Sequence, residues 1–281
     1  MKLIAAVAGF VALGQVGANV QAQTTQVNVR VVSHDAKIIG DGVGGARIRV
    51  RNPETGEILA EGIQRGGTGN TATIVVEPHG RGETVYASEG AAVFTARLEL
   101  QVPTVLEFIG EGPLGYQHAL QRTMKRMLVV PGEDILGDGV LLELHGFIVE
   151  LLEPESAGTS GSTPVTARVR MLCGCPHTPG GLWDADRIRV TARVYDGDRM
   201  IREATLRYAG EPNLFSGSIS LDGVREDAHL VVLAHDADRA NFGMSEKRRV
   251  GSHPKIRQFS NRGPKGVRSV TTGSLRRLYP P

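Results

Sequence analysis

The residues best suited to chemistry lie in one stretch of this chain, residues 171–183. It contains both cysteines, the only tryptophan and a histidine two residues after the second cysteine. In an extended backbone, alternate side chains share one face, so thioether, thiolate and imidazole groups at this spacing would lie together. Such ligands suit copper or zinc. The members of this candidate metal set are Met171, Cys173, Cys175 and His177.

The same two cysteines are candidates for a disulfide. Cys173 and Cys175 are separated only by Gly174, and a glycine-centred turn allows the Cα separation of about 4.4–6.8 Å that a disulfide requires. Pro176 bends the segment, which disfavours the alternation that the metal set needs. We therefore expect a disulfide that acts as a local staple, with copper or zinc binding as the alternative. We expect Trp183 to cap the core beside the cysteines.

Two histidine–aspartate pairs stand at the ends of alternating segments, His34-Asp35 and His235-Asp236. A carboxylate that orients an imidazole is a common device in metal and acid–base sites. Aspartate also ends strands by bonding the turn backbone, and we interpret both pairs in this way. The chain lacks an H-E-x-x-H motif, and residues 158–161 lack the spacing of a nucleophile elbow. The sequence therefore predicts no catalytic residue, although a hydrolase site assembled from distant loops would leave no local signature.

The elements that would position these residues are short strands. Val, Ile, Thr and Arg recur in alternation, aromatic residues make up only 5% of the chain, and 36 of its 281 residues are glycine. This pattern is typical of strands joined by glycine turns. We predict an all-β fold of two tandem antiparallel β-sandwich domains, immunoglobulin-like or transthyretin-like, with very little helix. The predicted parts are domain 1 at 23–152, a linker at 153–164, domain 2 at 165–250 and a basic, flexible tail at 251–281.

Individual strands are predicted from the same alternation. In domain 1 they are 26–32, a hairpin of 46–51 and 57–63, and then 72–77, 91–101, 104–109 and 140–152. Residues 118–130 fit either a helix or a strand at 126–130. In domain 2 the predicted strands are 165–170, 187–195, 200–208, 214–221 and 229–234.

Two segments resemble known β-sandwich families. Residues 45–48 (Gly-Ala-Arg-Ile) and 55–60 (Thr-Gly-Glu-Ile-Leu-Ala) resemble the opening hairpin of transthyretin-like or carboxypeptidase-regulatory-like modules. Ala234, Asp236 and Asn241 match a pattern similar to the last strands of bacterial immunoglobulin-like modules. Because the first families are mostly accessory or adhesive, the resemblance implies a scaffold without an active site.

The N-terminus has the pattern of a secretory signal. Lys2 is followed by an apolar run at 3–13 and a small, polar stretch that ends at Ala22. The run is too short to span a bilayer. We predict a signal peptide at 1–22, cleavage after Ala22, and a periplasmic or extracellular mature protein without a transmembrane anchor.

The C-terminal tail is strongly basic, although the whole chain has a net charge of only +2. From residue 251 onwards there is no acidic residue. Such a segment could contact an acidic partner, a membrane surface or an anionic polysaccharide, whereas export argues against nucleic acid. The predicted partner-binding residues are Arg257, Arg262, Lys265, Arg268, Arg276 and Arg277.

These observations together predict an exported, non-catalytic module that binds or assembles through protein–protein contacts. One alternative is a periplasmic copper- or zinc-handling protein that uses the metal set of residues 171–177. Another is an accessory subunit of a larger periplasmic or extracellular enzyme complex.

Overall fold

A computed structural model describes residues 22–152 and 161–251, and almost all of their regular structure is β. The strands are β1 (Gln23–Ser33), β2 (Ala46–Arg51), β3 (Ile58–Gln64), β4 (Phe94–Leu100), β5 (Thr104–Gly112), β6 (Gln121–Val129), β7 (Ile135–Leu144), β8 (Phe147–Leu151), β9 (Thr163–Met171), β10 (Arg189–Asp196), β11 (Arg199–Tyr208), β12 (Leu214–Ile219), β13 (His229–Asp236), β14 (Asn241–Met244) and β15 (Arg248–Arg249). In these residues helix is limited to single turns at Asp41–Val43, Ala72–Val76, Gln117–Ala119 and Ala185–Arg187. The predicted all-β class and low helix content are confirmed.

Two facing sheets of the N-terminal part enclose one hydrophobic core. One sheet has the order β4-β1-β7 and the other β3-β2-β5-β6. Val27, Val29 and Val31 alternate along β1 and are fully buried in this first core, as the period-two pattern requires. The β1–β7 pair is parallel, while the other pairs in these two sheets are antiparallel.

The remaining strands form one antiparallel sheet around a second core. Its order is β14-β13-β10-β11-β12-β9-β8, and β15 pairs with β13. The two ends of the sheet approach each other, because β14 contacts β8. The buried side chains inside this curved sheet include Phe215, Val169 and Val190.

Strand β8 is shared between the two cores. Phe147 and Val149 are buried in the second core, whereas Ile148 between them is buried in the first. Alternate side chains of a strand point to opposite faces, so β8 separates and joins the two cores. Because β8 precedes the predicted linker and pairs with β9 after it, the two predicted domains share a sheet strand. Their division into separate domains stays a prediction.

The long strand predicted at 140–152 is wrong in one respect, since it is interrupted after Leu144. Strands β7 and β8 belong to different sheets. Gly146 has φ +140°, a conformation that favours glycine, and its N–H donates to Asn241 Oδ1 at 2.9 Å. The interruption leaves His145 in the bend between the two sheets.

Two further local predictions differ from the structure. Residues 72–77 are predicted as a strand, but Ala72–Val76 form a π-helical turn, because Asn70 Oδ1 accepts the N–H groups of Ala72 and Thr73 and starts the turn. Residues 121–129 form strand β6 along its whole length, because they pair with β5. The helical alternative for 118–130 is therefore wrong.

Some predictions fall outside the described residues. These are the signal peptide up to residue 21, linker residues 153–160, and all six predicted partner-binding residues of the tail. Within 22–152 and 161–251, no helix is long and apolar enough to cross a membrane.

Candidate functional site

The predicted disulfide between Cys173 and Cys175 is present. Their Cα atoms lie 5.5 Å apart. Gly174 makes the turn with φ +83°, and its N–H donates to the Met171 carbonyl at 2.8 Å. Both cysteines are buried in the second core. The bond is thus a local staple at the end of β9.

In the disulfide-bonded chain, the residues of the predicted metal set do not share one face of an extended strand. The chain turns at Gly174, and the disulfide leaves Cys173 and Cys175 without the thiolates that bind metals. Copper or zinc binding by Met171, Cys173, Cys175 and His177 therefore stays a prediction for the reduced chain.

His177 is a buried, neutral imidazole. It is 2% exposed, its ring meets Phe147 edge-on with centroids 5.5 Å apart, and its Nδ1 lies 3.3 Å from the Trp183 carbonyl oxygen. Burial lowers the pKa of His177 to about 4, and the Trp183 carbonyl and the charge of Asp236 oppose this only in part. The imidazole is thus uncharged at neutral pH.

Trp183 connects the segment of residues 171–183 to the residues that follow strand β1. It packs in the same core cluster as both cysteines, which agrees with the expected capping role. Its indole N–H donates to the Asp35 carbonyl at 2.9 Å. The hydrogen bond joins two segments that lie 148 residues apart in the chain.

A cleft of about 170 Å³ lies beside Trp183 and His177. One wall is an ion-pair group, in which Arg239 bonds Asp35 at 2.6 Å and Asp236 at 3.1 Å. The aspartates of the two histidine–aspartate pairs therefore converge on one arginine. Sequence reasoning missed this contact, because Arg239 is near Asp236 in the chain but about two hundred residues from Asp35.

The chemistry available in this cleft is that of a structural junction. Asp35 and Asp236 are engaged by Arg239, and the third aspartate of the lining, Asp184, accepts the N–H groups of Gly180 and Asp186. An imidazole with a pKa of about 4 is a weak base at neutral pH. The residues lining the cleft include no serine, threonine, cysteine or lysine. The described side chains of this cleft therefore hold loops together and do not form a nucleophile–base pair.

The histidines of the two pairs have different surroundings. His235 stacks on Phe242, with ring centroids 6.3 Å apart. His34 stacks on His145, with centroids 3.9 Å apart, and its Nδ1 lies 2.7 Å from Glu143 Oε1. The second carboxylate oxygen of Glu143 is 4.0 Å from His145 Nε2. Neither Glu143 nor His145 was a sequence candidate.

The parallel pairing of β1 with β7 produces this cluster. Ser33 lies opposite Leu144 in the ladder, and the His34 N–H donates to the Leu144 carbonyl at 2.8 Å. Both strands end here, so the two imidazoles lie side by side with Glu143 next to them. A local sequence signal for this contact does not exist, because it depends on which strands become neighbours.

Comparisons with known proteins do not assign a family. No protein-family model matches the chain, and no curated protein matches it. Among solved structures, it is similar to the native conformation of E. coli alpha-2-macroglobulin, with 12% sequence identity and a TM-score of 0.19. The similarity covers 77% of this chain but only 13% of that protein's chain. At this TM-score the similarity supports no conclusion about fold or function.

Proposed function

We propose that this chain is an exported, non-catalytic module that binds or assembles with protein partners through the outer face of its β3-β2-β5-β6 sheet. The observation that carries the proposal is a group of exposed apolar side chains on strands β5 and β6. The predicted signal sequence and the resemblance to accessory modules agree with this role.

The apolar group lies on one side of two neighbouring strands. Val105 and Leu128 are directly opposite each other and are 48% and 55% exposed. Met124, four residues before Leu128 and therefore on the same face of β6, is 56% exposed. Single exposed apolar residues are normal, but a group on one face is typical of a contact surface.

Charged residues alternate with these apolar side chains, because the Glu107–Arg126 pair lies between Leu128 and Met124 on the same face. Glu107 is fully buried between Arg126 and Arg51, and hydrogen bonds from these two arginines hold the pKa of Glu107 below its usual value. A second glutamate, Glu111, lies between Arg47 and Arg122. The face carries more arginine than glutamate; its charged members are Arg47, Arg49, Arg51, Arg122, Arg126, Glu61, Glu107 and Glu111.

The combination of apolar and arginine side chains determines the kind of partner. Arginine is enriched in protein interfaces, where its guanidinium pairs with carboxylates. The positive excess favours a partner surface that presents acidic residues among apolar ones. The predicted basic tail would favour the same partner.

Site-specific photo-crosslinking tests this proposal without knowledge of the partner. A photoreactive amino acid is placed at Leu128, and in a matched control at Met200, which is 48% exposed and lies at the start of β11. After irradiation in the source cells, we expect a discrete heavier band from the Leu128 variant and none from the Met200 variant. Equal labelling from both positions, or none from either, would contradict the proposed face.

The same adduct distinguishes a general binding module from an accessory enzyme subunit. Peptide identification of the captured protein assigns the accessory role if the partner is a catalytic chain. Export is tested separately by N-terminal sequencing of the protein recovered outside the cytoplasm, where we expect Gln23 as the first residue.

A further inference from the structure

Three donor side chains meet where strands β1 and β7 end. Among the residues that the structure describes, His34, Glu143 and His145 form the one group of three His, Cys, Asp or Glu residues whose donor atoms all lie within 4.8 Å of one another. Two imidazoles and one carboxylate are a common donor set for zinc. We infer that these three residues form a Zn²⁺ site, separate from the predicted set at residues 171–177 and independent of the proposed docking face.

The protonation pattern of His145 prepares it as a ligand. Its Nδ1 lies 3.2 Å from the Ala240 carbonyl oxygen. A carbonyl only accepts hydrogen bonds, so Nδ1 carries the proton and the neutral ring has its lone pair on Nε2. That nitrogen faces Glu143 Oε2 at 4.0 Å. A backbone carbonyl that accepts the second N–H of a histidine ligand is the usual support in protein metal sites.

The loop that carries this carbonyl is held from both sides. Ala240 has φ +52°, which is rare for a residue with a side chain. On the N-terminal side of Ala240, Asp236 Oδ1 accepts the Arg239 N–H at 3.2 Å. After it, Asn241 Oδ1 accepts the Gly146 N–H at 2.9 Å, which ties the loop to the residue next to His145. The supporting shell is therefore built from β13–β14 and the β7–β8 bend together.

To bind one ion, the stacked rings of His34 and His145, whose centroids lie 3.9 Å apart at an interplanar angle of 19°, must tilt so that a nitrogen of each points at the ion. The 2.7 Å contact between His34 and Glu143 places one proton between Nδ1 and the carboxylate. When zinc takes the place of this proton, the proton moves through water to Nε2 of the same ring, which stays neutral, and Nδ1 and the carboxylate then coordinate the ion. With metal–ligand bonds of about 2.0 Å, tetrahedral donor atoms lie roughly 3.3 Å apart. The distance from His34 Nδ1 to Glu143 Oε1 is 2.7 Å, and that from His145 Nε2 to Glu143 Oε2 is 4.0 Å, so one lies below this value and the other above it.

The composition of the cluster favours zinc over calcium, magnesium and Cu(I), and its exposure leaves room for a further ligand. Calcium and magnesium prefer oxygen ligands, and Cu(I) prefers sulfur. Glu143 and His145 are about half exposed and His34 about a quarter. Water, or a donor from a partner, can therefore reach the fourth position of the ion. Arg239 is already paired with Asp35 and Asp236, so those carboxylates do not compete for the ion.

Calorimetric titration of the untagged, oxidised protein with Zn²⁺ alone tests the site. We expect one bound ion per chain. His34→Gln, His145→Gln and Glu143→Gln should each weaken binding by at least about tenfold. His118→Gln serves as the matched control, because it removes a histidine outside the cluster. Glu143→Gln keeps the shape of an exposed residue, so it covers the case in which a histidine variant does not fold.

A Co²⁺ titration followed by absorption distinguishes this site from the cysteine set. Oxygen and nitrogen ligands at His34, Glu143 and His145 would give visible bands without the strong near-ultraviolet band of thiolate ligands. Absence of Zn²⁺ binding would overturn the inference. Unchanged affinity in the three cluster variants, or binding that requires reduction of the Cys173–Cys175 bond, would overturn it as well.

Discussion

At the scale of single residues, His177 illustrates how the core determines chemistry. The sequence predicts it as a candidate metal ligand, but the structure buries its ring beside Phe147 and Trp183, which belong to the second core. Nδ1 has a backbone contact, whereas Nε2 is buried without a hydrogen-bond partner. A charged ring would lose its hydration here, so the folded protein favours the neutral form.

This burial predicts a pH-dependent stability. The pKa of His177 is lowered from 6.5 to about 4 on folding, so below about pH 6.5 the unfolded chain binds the extra proton. The contribution of the neutral His177 ring to the free energy of unfolding is full above about pH 6.5. Roughly 3 kcal/mol of it is lost as the pH falls from about 6.5 to about 4. Urea unfolding across this range should show the loss in the natural chain, and a smaller loss in His177→Gln.

An exposed histidine provides the control for this experiment. His79→Gln removes a histidine from an exposed loop position, and the stability of this variant should fall with pH as in the natural chain. If His177→Gln showed the same pH profile as His79→Gln, the buried imidazole would not be the source of the acid sensitivity.

At the scale of elements, the closure of the second sheet depends on a close approach between β14 and β8. A Cβ atom built on Gly243 would lie 2.6 Å from the Phe147 carbonyl oxygen and 2.8 Å from the Phe147 Cβ. These atoms belong to backbone and Cβ, which cannot rotate away as the end of a flexible side chain can. Glycine is therefore required at this position by packing.

Gly243→Ala should destabilise the protein by about 1–3 kcal/mol, because overpacking forces the two strands apart. Thermal or urea unfolding measures the change. Gly42→Ala is the matched control, since nothing lies within 4 Å of its added Cβ and its φ is not positive. Equal effects of the two substitutions would show that β14 and β8 are not in tight contact.

At the scale of the whole molecule, the two cores are joined by shared parts. Strand β8 sends side chains into both, and Leu172 of the segment after β9 is buried in the first core. The Trp183–Asp35 hydrogen bond and the Arg239 ion pairs add links between the two regions. We therefore expect the cores to unfold together.

The only tryptophan reports on this coupling. Leu98 is buried in the first core, and Leu98→Ala should cost about 2–5 kcal/mol. Trp183 lies in the second core, so its fluorescence transition should shift as far as the transition measured by circular dichroism. If circular dichroism shifted while the Trp183 transition stayed in place, the predicted independent domains would be supported instead.

Local patterns in the sequence were sufficient for the fold class and several elements. Alternation predicted most of the strands, the neighbouring segments 46–51 and 57–63 predicted the β2–β3 hairpin, and the glycine between Cys173 and Cys175 predicted their disulfide. Each of these depends on residues close together in the chain. Backbone periodicity and turn geometry are local properties, so a single sequence contains them.

Only the tertiary structure decided which distant segments meet. The parallel pairing of β1 and β7 places His34 beside His145, and the end of β13 places Arg239 against Asp35. Many strands in this chain have similar apolar alternation, so their patterns do not identify their partners. The pairing follows from burying all the apolar faces at once, and the candidate zinc site exists because that packing brought its three ligands together.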